Sequence, residues 1–261
     1  MATYLDRILE HHRDRAAADE RATDALVGHV AGLEPARGFR AALAAADRLA
    51  VISEVKRRSP SKGDLFMELD PAALARTYEA AGATCMSVLT DGPHFGGSAA
   101  DLAAARTAVG LPVIRKDFTV CANDVVDTRL MGADCVLLIA AALDDAELAD
   151  FSALATEVGL DVLVEVHDEA ELARAVAHTG GDLIGVNQRD LVTFEVDQQR
   201  AVRVAAEIPA TAVKVAESGV RGRADALALA AAGYDAVLVG ELLVTAADPA
   251  AALAELRVPR G

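Results

Sequence analysis

Gly132-Ala133-Asp134-Cys135-Val136-Leu137-Leu138-Ile139 is a turn that leads straight into an unbroken apolar run. Gly82-Ala83 and Gly233-Tyr234-Asp235 introduce comparable runs, so the same helix-to-strand turn recurs along the chain. Eight runs are present, at residues 51–55, 84–89, 112–116, 134–139, 162–166, 182–187, 213–217 and 236–240, at intervals of roughly 20 to 35 residues. Short Val/Ile/Leu runs without long polar alternation fit parallel strands buried on both faces. The segments between them fit helices. Residues 71–81 begin with Asp70-Pro71 as cap and first position and end at Gly82; residues 144–158 end at Gly159, and 221–232 at Gly233. Eight βα units in about 210 residues predict an α/β fold of the (β/α)8 class, a TIM barrel. A doubly wound open sheet is the alternative, and it fits less well because no Gly-rich dinucleotide turn follows the first strand.

Residues 1–48 precede the first strand and read as an N-terminal helical extension. Tyr4, Leu5, Ile8 and Leu9 form an apolar stripe, and Phe39, Leu43 and Leu49 lie in a second segment after Pro35. No linker sets this part aside, so residues 1–261 are expected to form one barrel domain. The extension can cap a barrel end or contribute to its mouth.

An apolar fraction of 53% is ample for a core, and the absence of Trp with much Ala predicts closely packed helices. The net charge of −15 argues against nucleic acid or an anionic membrane as partner. It leaves room for an anionic small molecule, because basic residues after Val55 and Ile114 can make a local positive patch. Cys85, Cys121 and Cys135 are widely spaced without a metal-ligand pattern and read as thiols of a reducing compartment. The charged N-terminus lacks a signal-peptide apolar stretch and nothing approaches a membrane span, so a cytoplasmic location is expected. On assembly the expectation is a monomer.

The chain uses arginine almost wherever it needs a cation: of its 25 basic residues only Lys56, Lys62, Lys116 and Lys214 are lysine. Lys56 and Lys116 end apolar runs. A lysine kept there suggests a need for a compact ammonium whose pKa moves on burial and which can give and regain a proton. In a barrel the site lies at the C-terminal ends of the strands. Those ends carry Glu54 and Lys56, Thr90-Asp91, Lys116, Leu138, Glu165, Asn187 with Arg189, Glu217-Ser218-Gly219 and Gly240-Glu241. Glu54 and Lys56 are two apart and share a face. Each charge alone reads most simply as a solvated strand end; together on one rim they call for chemistry. Small residues after the seventh and eighth strands fit a phosphate cradle of backbone N–H groups. Phe95 and Phe118 can flank an aromatic ring or simply plug the mouth, and Lys62 reads as solvated.

Glu54-Val-Lys56-Arg-Arg-Ser59-Pro-Ser61, Ser87-Val-Leu-Thr-Asp91 with Phe95-Gly-Gly-Ser98, Arg115-Lys116-Asp117-Phe118, Glu165-Val-His-Asp-Glu169, Gly185-Val-Asn187-Gln-Arg189-Asp-Leu191 and Ala216-Glu-Ser-Gly219 together resemble indole-3-glycerol-phosphate synthase. The resemblance runs from Leu5-Asp-Arg-Ile-Leu9 to the last strand. Asp91 stands where Glu is frequent, His94 where a second Phe is common, and Leu242 where a small residue is usual. The resemblance implies a carbon–carbon lyase (a carboxy-lyase) of tryptophan biosynthesis that needs neither cofactor nor metal and whose partner is a small phosphorylated substrate. It implies Lys116 as acid for condensation, with Glu54, Lys56 and Glu165 in proton transfers and holding the ammonium groups charged. Asn187 and Glu217 would orient substrate hydroxyls, and Arg189 would pair with the substrate carboxylate. Ser59, Ser218, Gly219, Gly240 and Glu241 would surround the phosphate, and Phe95, Phe118, Leu138 and Leu191 would line the anthranilate pocket. Two other readings are a phosphoribosylanthranilate isomerase-like barrel, whose acid–base arrangement does not stand out here, and a non-catalytic barrel that binds a phosphorylated ligand.

Overall fold

The computed structural model describes residues 3–60, 62–190 and 195–261. Among them, eight strands close into a parallel barrel: β1 (Ala50–Val55), β2 (Cys85–Leu89), β3 (Val113–Lys116), β4 (Cys135–Ile139), β5 (Asp161–Val166), β6 (Leu183–Asn187), β7 (Val213–Glu217) and β8 (Ala236–Val239). Each strand pairs with its sequence neighbours, and β1 closes the ring on β8 with Ile52 opposite Leu238. The apolar runs therefore mark the strands to within a residue at either end. All six residues of β1 and all five of β2, β4 and β6 are buried, as expected of strands covered on one face by helices and on the other by the filled barrel interior.

Local chemistry places the helices. Asp70 accepts hydrogen bonds from the N–H groups of Ala72 and Ala73, with Pro71 as the first residue of helix Pro71–Ala80. Asp144 and Glu147 form a reciprocal capping box at the start of Asp145–Glu157. Gly82, Gly132 and Gly233 all adopt φ near +90°, a conformation that a Cβ would strain, so the turn is short enough to enter the next strand at once. The aspartates of that turn have a further task. Asp134 accepts from the backbone N–H of Val113, and Asp235 accepts from that of Lys214, so each pins the start of the strand before its own.

The N-terminal extension spans the barrel from mouth to base. Helix Tyr4–Ala17 lies at the mouth, where Arg13 pairs with Glu147 at 2.8 Å and Arg15 with Asp124 at 2.6 Å. Helix Thr23–Val30 packs on helix Ala122–Leu130. Helix Phe39–Ala44 reaches the base, with Phe39 and Leu43 fully buried. There the Arg37 N–H donates to Asp134 and that of Arg40 to Asp161. Both roles anticipated for the extension are thus filled, by different helices. Among the described residues no helix is long and apolar enough to cross a membrane.

Asp134 joins three parts of this frame: the Val113 amide of β3, the Arg37 amide of the extension, and the Arg106 guanidinium at 2.9 Å. Its carboxylate is fully buried. Asp134→Ala leaves the guanidinium and two amides without their acceptor, so a loss of about 3 kcal/mol is expected. Thermal unfolding should show a fall in Tm of roughly 10 °C; a shift within a degree or two would mean that these contacts do not hold the base together.

Candidate active site

The strand ends converge on one cavity of about 800 Å³ at the C-terminal face of the barrel. Side chains alternate along a strand, so β1 aims Glu54 into it and the next residue of the same phase, Lys56, follows. Lys56 Nζ lies 2.5 Å from Glu54 Oε2. On the far side, Lys116 Nζ donates to Glu165 Oε2 at 2.8 Å and lies 3.6 Å from Glu217 Oε2. Asn187 Nδ2 donates to Glu165 Oε1 at 3.0 Å, and the Arg189 amide donates to Asn187 Oδ1 at 3.0 Å. Three strands thus orient one carboxylate–ammonium–amide group. The positions are held from behind by the register that sets Asn187 opposite Glu217 and Glu165 opposite Gly185.

Two glycines make room for the carboxylates. A Cβ on Gly185 would lie 2.1 Å from Glu217 Oε1, and one on Gly240 would lie 2.1 Å from Glu54 Oε2 and 3.0 Å from Lys56 Nζ. The resemblance singled out Gly240 for phosphate; the structure adds that it admits Glu54, and that Gly185 does the same for Glu217. A glycine inside an apolar strand was the available signal for Gly185.

The electrostatics follow from crowding three carboxyls around two ammonium groups. Burial acts to lower the Lys116 pKa, but the charges of Glu165, Glu217 and Glu54 outweigh it, and the ammonium is held above its ordinary range. The shift runs opposite to the lowering that burial alone would give. Burial also acts to raise the pKa of Glu165, yet Lys116, His167 and Asn187 hold it below the usual carboxylate range. Glu217 moves the other way. Burial first, then the Glu165 charge beside it, pushes it up to about 8, so Glu217 is a neutral acid at pH 7.

Most expected site residues line this cavity: Ser59, Phe95, Phe118, Arg189, Ser218, Gly219, Gly240 and Glu241 join Glu54, Lys56, Lys116, Glu165, Asn187 and Glu217. Phe95 and Phe118 stand as a tilted pair with centroids 6.3 Å apart. Leu138 needs correction. It is fully buried and outside the lining, where its strand neighbours Leu137 and Ile139 stand instead. Reading β4 one residue out of phase moves the side chain to the opposite face. Leu191 lies outside the described residues. At the phosphate end, Ser218 has φ +64°, the one non-glycine with positive φ among the described residues, and Gly219 follows at +72°. Gln188, itself buried, holds this turn by donating to Ser218 O at 2.7 Å. Leu242, the bulkier departure, lines the cavity beside it.

The expected positive patch is smaller than the basic residues suggest. Arg57 pairs with Asp101, Arg58 with Asp64 and Arg115 with Asp117, so these three arginines brace the scaffold while Lys56 and Lys116 enter the cavity. Lys62 is largely exposed, as expected, but its ammonium reaches the rim 3.9 Å from Glu241. One residue escaped the sequence reading although its motif was noted. His167 lies two positions beyond Glu165, its Nε2 is 3.7 Å from Glu165 Oε1, and its Nδ1 is bonded to Glu171 at 3.0 Å.

Comparison with known proteins agrees with this geometry. The family model for indole-3-glycerol phosphate synthase matches residues 5–256. Indole-3-glycerol phosphate synthase of Parafrankia sp. is 49% identical over 254 residues, covering 97% of this chain and 94% of that protein. Indole-3-glycerol phosphate synthase 1 of Streptomyces coelicolor is 51% identical over 254 residues with the same coverage. Among solved structures, a 3-hexulose-6-phosphate synthase superposes with a TM-score of 0.62 at 21% identity, over 80% of this chain and 98% of the other, a likeness of fold alone. With a family model spanning nearly its full length and relatives at about half identity, the chain belongs to the indole-3-glycerol phosphate synthase family.

Proposed function

We propose that this chain converts 1-(2-carboxyphenylamino)-1-deoxyribulose 5-phosphate into indole-3-glycerol phosphate, with release of CO2 and water. The observation that carries the reading is the Lys116–Glu165–Asn187 group facing Glu54–Lys56 across one cavity whose far end is the Ser218-Gly219 and Gly240-Glu241 turns. The aniline ring is already nucleophilic at the carbon that bears the carboxylate. A bond forms from that carbon to the ketone carbon, and the ketone oxygen takes a proton. CO2 then leaves and returns its electron pair to the ring, restoring aromaticity. Loss of the new hydroxyl as water, with a proton removed from the neighbouring carbon, completes the indole.

Lys116 is the proposed donor for the first proton. Its raised pKa keeps it an ammonium until the ketone oxygen develops alkoxide character, and an alkoxide is more basic than the lysine, so transfer is then downhill. Glu165 holds the ammonium in place and, with Glu54 and Lys56, serves the later proton transfers. Neutral Glu217 and Asn187 donate to substrate hydroxyls. Arg189, in the cavity lining, is the proposed partner of the substrate carboxylate, and Ser59 with the two turns is the proposed phosphate site. Phe95, Phe118, Leu137 and Ile139 supply apolar walls for the ring. This reading makes the chain a carboxy-lyase.

The direct test is turnover of that substrate by the purified full chain, followed by indole fluorescence. Activity is expected in the presence of chelator, since an ammonium acid and an electron-rich ring leave no step that needs a metal. A loss of kcat in chelator that a divalent ion restores, with Tm unchanged, would falsify the cofactor-free route, and absence of any indole product would leave the non-catalytic reading.

Lys116→Arg keeps the charge but moves the donor and makes it a far weaker acid. If Lys116 supplies only charge, activity should stay within about tenfold, or roughly 1.4 kcal/mol. As the general acid it should cost ~10²–10⁴ in kcat with substrate still bound. Lys62→Arg, at the exposed rim, should leave kcat within a few-fold. Equal, mild effects in both variants, with unchanged Tm, would remove Lys116 from the acid role.

The pH dependence isolates Glu217. A donor carboxyl with its pKa near 8 is competent below that value and lost above it, so kcat/KM should fall as pH rises through about 8. Glu217→Gln keeps an N–H donor and cannot ionise. Its residual activity should be flat across the same range; persistence of the alkaline limb in the variant would assign that limb to another group.

A further inference from the structure

Outside the cavity, helix Tyr4–Ala17 meets the turn after β2 through a cluster that the reaction does not use. His12 Nε2 and His94 Nδ1 each lie 2.9 Å from the same oxygen, Asp91 Oδ2. The other oxygen, Oδ1, accepts from the backbone N–H groups of His94 at 2.6 Å and Phe95 at 3.2 Å, which fixes the carboxylate and turns Oδ2 toward the two imidazoles. Asp117 Oδ1 stands 3.8 Å from His12 Nε2. Within the set His12, Asp91 and His94 the available ligand atoms all fall within 4.8 Å of one another. From the geometry we infer that these three residues form a binding site for a divalent transition-metal ion of the zinc type, which clasps the N-terminal helix to the barrel mouth.

Three features carry this. The first is charge. Asp91 is buried to within 2% of full, and among the described residues its ion-pair partners are the two histidines alone. The other buried aspartates of this face have a guanidinium: Arg115 for Asp117 and Arg15 for Asp124. A desolvated carboxylate whose only ion-pair partners are imidazoles is suited to a cation that imidazole binds. The second is geometry. Four-coordinate zinc with bonds near 2.0–2.1 Å separates its ligand atoms by about 3.3 Å. The two contacts at 2.9 Å need to open by about half an ångström, and the two imidazole nitrogens, within 4.8 Å of one another, need to settle at the same separation. The third is the surroundings. The Oδ1 bonds orient the carboxylate ligand in the manner of an outer coordination shell, and Asp117 Oδ1 stands 3.8 Å from His12 Nε2. His94 is the most exposed of the three and gives the ion its way in.

The ion would tie together elements 79 residues apart that flank the mouth. His12 packs on Phe118 at 5.3 Å between centroids, and the helix capped by Asp91 carries Phe95. The clasp therefore supports the aromatic pair of the cavity without entering it, and the role is structural.

Titration of the metal-stripped full chain with Co2+ tests the site. One equivalent should bind with the intense visible d–d bands of a four-coordinate N/O site, and Zn2+ should abolish them by displacement. Zn2+ at about a hundredfold excess over its Kd should raise Tm by roughly 5 °C or more. Binding should weaken as pH falls, because the ligands hold the ion only in their deprotonated forms. His94→Phe, which keeps an aromatic ring against Tyr4 and His11, should lose both the bands and the Tm response, and His12→Gln should do the same. His29→Gln on helix Thr23–Val30 should keep them. Absence of bands in the unaltered chain, or bands that survive in a folded His94→Phe chain, would overturn the assignment.

Discussion

Three carboxyls and two ammonium groups share a buried space at the barrel mouth, and the charges there cannot all be ionised as they would be in water. Bringing a carboxylate out of water costs several kcal/mol, which only a close and well-oriented partner offsets. Glu165 has such partners in Lys116 and Asn187 and stays ionised. Glu217 is farther from Lys116 and next to an occupied carboxylate, and it keeps its proton. The site therefore contains a firm cation, a firm anion and a neutral acid within one hydrogen-bonded group. Those are the parts that proton transfer to and from one substrate requires, and the same imbalance that makes the cluster expensive sorts them.

The rest of the mouth is arranged around this cluster. Glycine at 185 and 240 leaves to carboxylate oxygen the space that a Cβ would take. Arg57 and Arg115 have a different task from Lys56 and Lys116. Arg57 grips Asp101 and the carbonyls of Met67 and Leu69, and so anchors the loop after β1; Arg115 binds Asp117, Thr90 and the helix start at Asp124. The planar fork suits several fixed acceptors at once, whereas the cavity needs a compact donor on a flexible stem. This division explains why a chain so sparing with lysine keeps it at 56 and 116.

What the sequence disclosed and what it hid divide along physical lines. Buried parallel strands announce themselves as short apolar runs, and Asp-Pro starts and glycine stops mark the helices, so the barrel and its strand-end residues were legible. Local devices were not: the two-residue ribbon of Arg58–Ser59 and Gly63–Asp64, and the one-turn helices Gly92–Phe95 and Glu241–Val244, are too short for any periodicity to register. Leu138 shows a different limit. In a strand buried on both faces, every residue is apolar, and nothing in Val136-Leu137-Leu138-Ile139 tells which pair faces the cavity. The grouping of His12 with Asp91 and His94 depends on the packing of the first helix over the mouth, which no spacing in the chain encodes.

In the proposed reaction, substrate binding changes the balance that these groups set among themselves. The substrate arrives with a carboxylate and a phosphate, so it adds negative charge to a mouth where carboxyls already outnumber ammonium groups. Each added anion makes ionisation of Glu217 less favourable and deprotonation of Lys116 harder. Both groups are thus held in their proton-bearing forms when the ketone oxygen needs a donor. Departure of CO2 removes one of those anions, and the hold on the protons relaxes before dehydration, the step at which a base is needed. On this reading the loss of the carboxylate does more than restore aromaticity: it shifts the same small set of carboxyl and ammonium groups from donating protons toward accepting them.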